Sequence, residues 1–463
     1  MCAAACRRPS RFLTFSLIAT ALCTSRGADA FCGFYVGRAD ARLFNEASQV
    51  IMARDGERTV ISMRNDFQGD LTDFALVVPV PAVLQKSQIH VGEAKIFERI
   101  DAYSAPRLAE YFDPNPCERR YPAALDAARQ LSANAVAKSE ARRDAALGVS
   151  IEARYTVGEY DIVILSATQS NGLETWLREN GYRIPAGASR ALQPYVRQGL
   201  KFFVARVNLA EQAKTGFSYL RPLQFAFESP RFMLPVRLGM LNAKGPQDLV
   251  IYVLTRNGRV ETTNYRTVKL PANVELPTYV RGEFASVYKA LFATQAKRED
   301  YRVVWTEYFW DMGWCDPCAA DPLTPDELRG AGVFWLDGDA PPIGIAPGAS
   351  AAPVAVPRAG AAAPVMLTRL HLRYTPETLP EDLVFQETQD RQNYQARYVL
   401  RHAWQGDPSA CAEAKLYFDD VAKRHEREAQ TLANLTGWDL AAIRGRMNMQ
   451  SVSAPQWWER LWR

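Results

Sequence analysis

Residues 305–322, WTEYFWDMGWCDPCAADP, constrain the fold of this chain more than any other stretch. Trp305, Tyr308, Phe309, Trp310 and Trp314 put five aromatic rings close together, and the pattern over 301–310 predicts a strand. Cys315 and Cys318 follow with Asp316-Pro317 between them, and Pro322 breaks the exit. Thr324-Pro325-Asp326-Glu327 then opens a helix, with threonine as cap, proline at the first helical position and glutamate placed to close a capping box. Such a unit needs a deep core. With 463 residues, 48% of them hydrophobic, the chain can build one.

The rest of the chain alternates strand and helix signals without a solenoid period. Residues 49–54 and 59–64 flank Asp55-Gly56 as a hairpin, and 74–81 reads as a buried strand ended by Pro79 and Pro81; the three predict a meander. Residues 93–102 predict a helix with Ile96, Phe97 and Ile100 on one face. A second helix is expected from Ser104 to just before Asp113-Pro114. Strands at 150–156, 160–167 and 201–209 enclose short helices at 174–180 and 192–198, an order that permits a crossover. Further strands are expected at 223–227 and 232–238, then a hairpin of 249–255 with 259–263 around Asn257-Gly258. An amphipathic helix over 282–298 precedes the aromatic strand. Beyond it come strands at 368–374, 383–386 and 394–400, a long helix from Asp407-Pro408 to about residue 434, and a last helix capped by 436–439. The sum is an α+β fold with mainly antiparallel sheets, flanking helices and a long C-terminal helix.

The organisation read from composition is a leader at 1–30, a main α+β domain at 31–337, a Pro/Ala-rich linker or loop at 338–364, and C-terminal strands and helices at 365–463 packed on the main domain. Residues 121–146, rich in Ala and Arg and poor in large apolar side chains, form an exposed helical insertion in the main domain.

In the leader, Arg7, Arg8 and Arg11 supply the positive start, residues 12–22 the apolar centre, and Ala28-Asp29-Ala30 a small-x-small cleavage site. The apolar centre is too short for a membrane anchor, so cleavage near Ala30 places the mature chain in the periplasm or outside the cell. The leader removes four arginines and one aspartate, leaving 51 basic and 50 acidic residues. That balance lacks the footprint of nucleic-acid binding, and no mature stretch has the roughly eighteen apolar residues of a transmembrane segment.

Five cysteines remain after cleavage: Cys32, Cys117, Cys315, Cys318 and Cys411. Export makes disulfides the default, and an odd count leaves one thiol over; the pairing is open. Trp314-Cys315-Asp316-Pro317-Cys318 also fits the pattern of thiol–disulfide oxidoreductases, with Cys315 as nucleophile and Cys318 as resolving thiol. Against it, Asp316 opposes a second anion between the thiols, and the prolines break the helix that should follow. No metal site is expected. Asn65, Asp66, Asp70 and Asp73 do not match a twelve-residue calcium loop and read as a turn, while His90, His371, His402 and His425 show no ligand spacing. His425, among Lys423, Arg424, Glu426 and Arg427, reads as part of a solvated face. No serine-hydrolase elbow, phosphate loop or dinucleotide fingerprint occurs, and no cofactor is expected. The tryptophan-rich end, 457–463, reads as packing back on the fold, with docking on a partner or membrane interface as the alternative.

Several separate stretches resemble one bacterial family: Asn65-Asp66-Phe67-Gln68-Gly69, Val77-Val78-Pro79-Val80-Pro81, Asp101-Ala102-Tyr103-Ser104-Ala105-Pro106-Arg107, Trp314-Cys315-Asp316-Pro317-Cys318, Glu381-Asp382-Leu383-Val384-Phe385 and residues 429–438. Together they are similar to domain of unknown function 2330. The resemblance implies an exported bacterial protein and supplies no catalytic residues. The expectation is an envelope protein that binds an unidentified protein or envelope partner and is stapled by disulfides, with the Cys315/Cys318 oxidoreductase as the alternative.

Overall fold

A computed structural model describes residues 34–38, 44–68, 74–118, 149–184, 187–215, 220–242, 245–314, 316, 321–336 and 364–447. In chain order the strands are β1 (Phe34–Arg38), β2 (Phe44–Asp55), β3 (Arg58–Gln68), β4 (Phe74–Val80), β5 (Ile89–Val91), β6 (Arg107–Phe112) and β7 (Ser150–Val157). They continue as β8 (Tyr160–Ser166), β9 (Tyr182–Arg183), β10 (Lys201–Val207), β11 (Leu223–Glu228), β12 (Met233–Leu234), β13 (Gln247–Thr255) and β14 (Val260–Thr262). The last are β15 (Arg266–Lys269), β16 (Val274–Leu276), β17 (Val303–Asp311), β18 (Met366–Tyr374), β19 (Leu383–Glu387), β20 (Tyr394–Gln395) and β21 (Arg397–His402). The helices are α1 (Ala94–Ser104), α2 (Ser170–Glu179), α3 (Ala188–Arg197), α4 (Leu209–Thr215), α5 (Phe284–Arg298), α6 (Pro325–Gly330), α7 (Ala412–Thr436) and α8 (Leu440–Arg446).

Two sheets face each other across the main core. A six-stranded sheet runs β7-β8-β10-β4-β1-β9, and a nine-stranded one runs β15-β17-β18-β13-β2-β3-β11-β5 with β20 beside β17. Period-two alternation explains the stacking. On β4, Leu76, Val78 and Val80 point into the intersheet core while Ala75 and Val77 pack under α2 and α3. On β13, Leu249, Ile251 and Val253 enter the same core while Tyr252 and Leu254 face α1 and α6. Central strands covered on both faces read as unbroken apolar runs, and that is how 74–80 reads. A third body of apolar side chains joins α5, α7 and α8 to the three-stranded sheet β16-β21-β6. The architecture is α+β; the parallel pairings described are β13 with β2, β15 with β17, β16 with β21 and β21 with β6, and the others are antiparallel.

Several sequence expectations need correction. β2 and β3 form the expected hairpin, with Asp55 opposite Arg58, but β4 leaves it and pairs with β1 and β10 in the other sheet. A strand apolar on both faces gains more between layers than beside a hairpin already taken up by β13 and β11. Pro79 does not end the pairing; it lies opposite Phe202, beyond the register described between β1 and β4, where a missing N–H leaves no ladder bond unmade on that side. Residues 107–112 are strand β6, not a helix, because Pro106 closes α1 and Leu108, Tyr111 and Phe112 extend beside β21. Residues 249–263 do not form a hairpin. Both edges of β13 are occupied by β18 and β2, so β14 pairs with β19 instead. β8 and β10 are antiparallel neighbours, so no parallel crossover forms. The long helix begins at Ala412, since the Asp407 carboxylate turns the chain by accepting from the Ser409 N–H. The Thr324 capping box stands as read, with Glu327 N–H bonded to Thr324 Oγ1 at 3.2 Å and Thr324 N–H to Glu327 Oε2 at 2.7 Å.

Candidate functional site

The stacked sheets leave a cavity of about 240 Å³ between them, near the C-terminal end of β4. Ile61 and Met63 of β3 and Phe225 and Phe227 of β11 form one wall, and Val78, Pro79 and Pro81 face them. Met233, Leu234 and Pro235 close the end, with Leu200 beside them. The rings of Phe203, Phe225 and Phe227 stack in a row, 5.5 and 6.1 Å apart, and stiffen the wall. Prolines at 79, 81, 230 and 235 fix the rim but have too little side chain to fill the space. Only the mouth, at Gln198, Pro230 and Arg231, is exposed.

Arg54 holds this mouth from beneath. Buried at 8% exposure, it donates from Nη1 to Thr59 Oγ1 at 2.8 Å and to the Arg231 carbonyl at 3.4 Å, and from Nη2 to the Ser229 carbonyl at 3.1 Å. Its guanidinium lies 4.8 Å from the centre of the Phe232 ring. Burial lowers its pKa, and the charges of Glu57 and Glu387 partly offset that. The segment 229–232 is thereby fixed at three points, the Ser229 and Arg231 carbonyls and the Phe232 ring, a rim built in advance of any ligand. Arg231 itself donates to the Gln198 side-chain oxygen, and among the described residues no ion pair of Arg231 with a carboxylate is found. The described lining residues carry no carboxylate, imidazole or thiol; they include the Ser229 hydroxyl, which accepts from the Arg231 N–H at 3.2 Å.

The aromatic strand builds a second polar centre. The register of β17 against β18 slips between Thr306 and Tyr308, so Glu307 sits in a β-bulge that turns its side chain inward. The carboxylate is fully buried; Oε2 accepts from Arg369 Nε at 2.6 Å, and Oε1 meets His371 Nδ1 at 2.5 Å and the Tyr288 hydroxyl. Burial alone would raise its pKa; the charges of His371 and Arg369 and the hydrogen bonds of His371 and Tyr288 reverse this and hold it at about 2. Arg369 reaches on to Asp101 at 2.7 Å, which also accepts from the Tyr252 hydroxyl at 2.6 Å. The His371 ring lies flat on Phe292, centres 3.6 Å apart. Every acid in this cluster has a base against it, and the network joins α1, α5, β13, β17 and β18.

The sequence model of the uncharacterized proteins conserved in bacteria called domain of unknown function 2330 matches residues 26–386. The chain belongs to this family. No match is found among curated proteins or among solved structures. The family stretch of this chain includes the whole intersheet pocket and all of the Glu307 network.

In this member of domain of unknown function 2330, Cys117 and Cys411 are joined, with Cα atoms 5.9 Å apart across 294 residues of sequence. Cys32, Cys315 and Cys318 lie outside the described residues, as do the leader, the 121–146 insertion, most of 338–364, Asp70, Asp73 and the 457–463 end. Asp316 is described: nearly buried, it accepts from the Tyr308 hydroxyl at 3.0 Å and from Gln395 Nε2 at 2.8 Å. Among the described residues no group of three His, Cys, Asp or Glu is placed to hold a metal. His371 Nδ1 lies 2.5 Å from Glu307 Oε1, and His402 Nε2 lies 2.8 Å from Glu110 Oε2. His425 is half-buried, not solvated, and beside it Arg424 turns inward to Asp113 at 2.8 Å. Residue reading missed Arg54, Arg231 and Glu307. The prolines at 79, 81, 230 and 235 were the available signal for the pocket, and no local signal marks the bulge.

Proposed function

We propose that the chain is an exported, non-enzymatic binding protein of the bacterial envelope, stapled by its Cys117–Cys411 disulfide. The disulfide is the observation that carries the reading. It ties the end of β6 to the start of α7, and bridges of that kind persist in oxidising compartments. The leader pattern at 1–30 points to the same place. The intersheet pocket supports binding over catalysis, because its walls offer apolar contact and its mouth offers donors, while its one hydroxyl, that of Ser229, is buried and accepts from the Arg231 N–H with no described base beside it in the lining. The test is expression of the full chain with its leader, followed by N-terminal sequencing and non-reducing peptide mapping. The expected product starts at Phe31 and yields a peptide pair linked through Cys117 and Cys411. An intact leader, or free thiols at both positions, would sink the reading.

One observation keeps the oxidoreductase alternative specific. With Cys117 and Cys411 joined, Cys315 and Cys318 have only each other or Cys32 as intramolecular partners in the mature chain. A Cys315–Cys318 couple between about −120 and −270 mV would favour redox work, and one below about −300 mV a structural bridge.

A further inference from the structure

We propose that the intersheet pocket binds an apolar chain of about eight carbons ending in a carboxylate, with Arg231 and Gln198 at the mouth taking the carboxylate. This rests on the binding part of the function proposed above and is independent of export. Three features select the ligand. The first is size: an apolar cavity of about 150 Å³ takes the six carbons of benzene, so one of about 240 Å³ takes a chain of roughly eight to ten. A protein partner needs roughly 800 Å² of surface on each side, which a narrow slot does not offer. The second is lining: Ile61, Met63, Val78, Phe225, Phe227 and Leu234 give the ligand's body no polar partner, so only an apolar body gains by entering.

The third is charge. Arg231 Nη1 donates to Gln198 Oε1; among the described residues, no protein acceptor is found for the rest of the guanidinium fork or for the Gln198 amide NH2. The mouth therefore offers donors and one positive charge. An acceptor-only monoanion complements it, and a carboxylate matches the fork in a bidentate way. Arg54 supplies the rigidity this needs, since its bonds to the carbonyls of Ser229 and Arg231 hold the loop before a ligand arrives.

Calorimetric titration of the full mature chain with octanoate tests the proposal, with octan-1-ol as the uncharged control. Octanoate should bind one to one, and Arg231→Gln should weaken it at least about tenfold while leaving octan-1-ol unchanged. Arg231 is exposed, so this variant keeps its core. Met233→Trp, at the half-buried end of the pocket, should abolish binding of both probes. If that variant fails to fold by circular dichroism, the Arg231→Gln comparison decides alone. Absence of binding at millimolar octanoate overturns the proposal, as does an Arg231→Gln variant that binds octanoate like the parent. Tighter binding of an octanoyl lysophosphatidylcholine than of octanoate would assign the site to a lipid headgroup and overturn the carboxylate. A dimer that Met233→Trp converts to monomer would assign the pocket to a second copy. Octanoate failing on a chain with its leader removed and its disulfide formed rejects only the ligand, whereas octanoate binding to an exported product whose Cys117 and Cys411 are free leaves the ligand standing while the export reading falls.

Discussion

Glu307 and Glu428 are both nearly closed to solvent, and their surroundings push them in opposite directions. Glu307 is held at about 2 by His371 and Arg369 despite its burial. Its folded value lies below the ordinary 4.5, so its contribution to stability is complete above about pH 4.5 and is lost as pH falls toward 2. Glu307→Ala leaves Arg369 buried with half its partners and should cost about 3–5 kcal/mol, read as a lower urea midpoint at pH 7. Glu428 of α7 is raised to about 7, by burial first and by Glu275 next, against the pull of Arg424, Arg401 and Arg427. Arg424 Nε is 3.6 Å from it, too far for a hydrogen bond. Here the folded value exceeds 4.5, so the stability attached to the protonated form is present below about pH 4.5 and is lost as pH rises through 7. Glu428→Gln should therefore melt higher than the parent at pH 8, by at most about 3 kcal/mol, with no difference near pH 4.5. Equal melting at both values would refute the assignment. Neither shift was readable from the chain, because Glu307, Arg369 and His371 meet only through a bulge, and Glu428 carries the same letter as the solvated glutamates around it.

At the scale of elements, α7 is fastened along its first half. Cys411 is its N-cap and is bonded to Cys117, while Asp113, just past β6, accepts from the Tyr417 hydroxyl at 2.8 Å and pairs with Arg424 at 2.8 Å. Replacing both cysteines by serine should cost about 2–5 kcal/mol in denaturant unfolding under non-reducing conditions. The difference from the parent should vanish once the parent is reduced; a gap that survives dithiothreitol would mean that the substitutions act on packing instead. The capping box of α6 is a smaller device of the same kind, and Thr324→Ala should cost about 1 kcal/mol. Such local grammar was legible in advance: the α6 cap, the turn between β2 and β3, and the apolar faces of α1 and α5 follow from residues within a few positions of one another. What was not legible is partner choice. The run 259–263 looks like the second arm of a hairpin, and only the occupation of both edges of β13 sends it to β19. The pocket fails to show for the same reason: its walls come from β3, β4, β11 and β12, and no local pattern records which strands stack.

At the scale of the whole molecule, chain order and spatial order diverge. β18 comes after residue 364 in sequence yet lies between β17 and β13 in the nine-stranded sheet. Its side chains serve two cores at once: Leu370, Leu372 and Tyr374 enter the intersheet layer, and Leu367 packs toward α1 and α6. Arg369 and His371, on the same strand, complete the Glu307 centre. A chain ending at residue 364 would expose the edges of β13 and β17, bare the apolar faces that β18 covers, and leave Glu307 buried without either base. It should therefore show no cooperative thermal transition by circular dichroism and should bind a hydrophobic dye, whereas the full chain melts in one step. A fragment that melts cooperatively would show that the sheet closes without β18, whose five buried apolar side chains, at about 1.5–3 kcal/mol each, are worth about as much as the 5–15 kcal/mol that separates a folded domain from its unfolded chain.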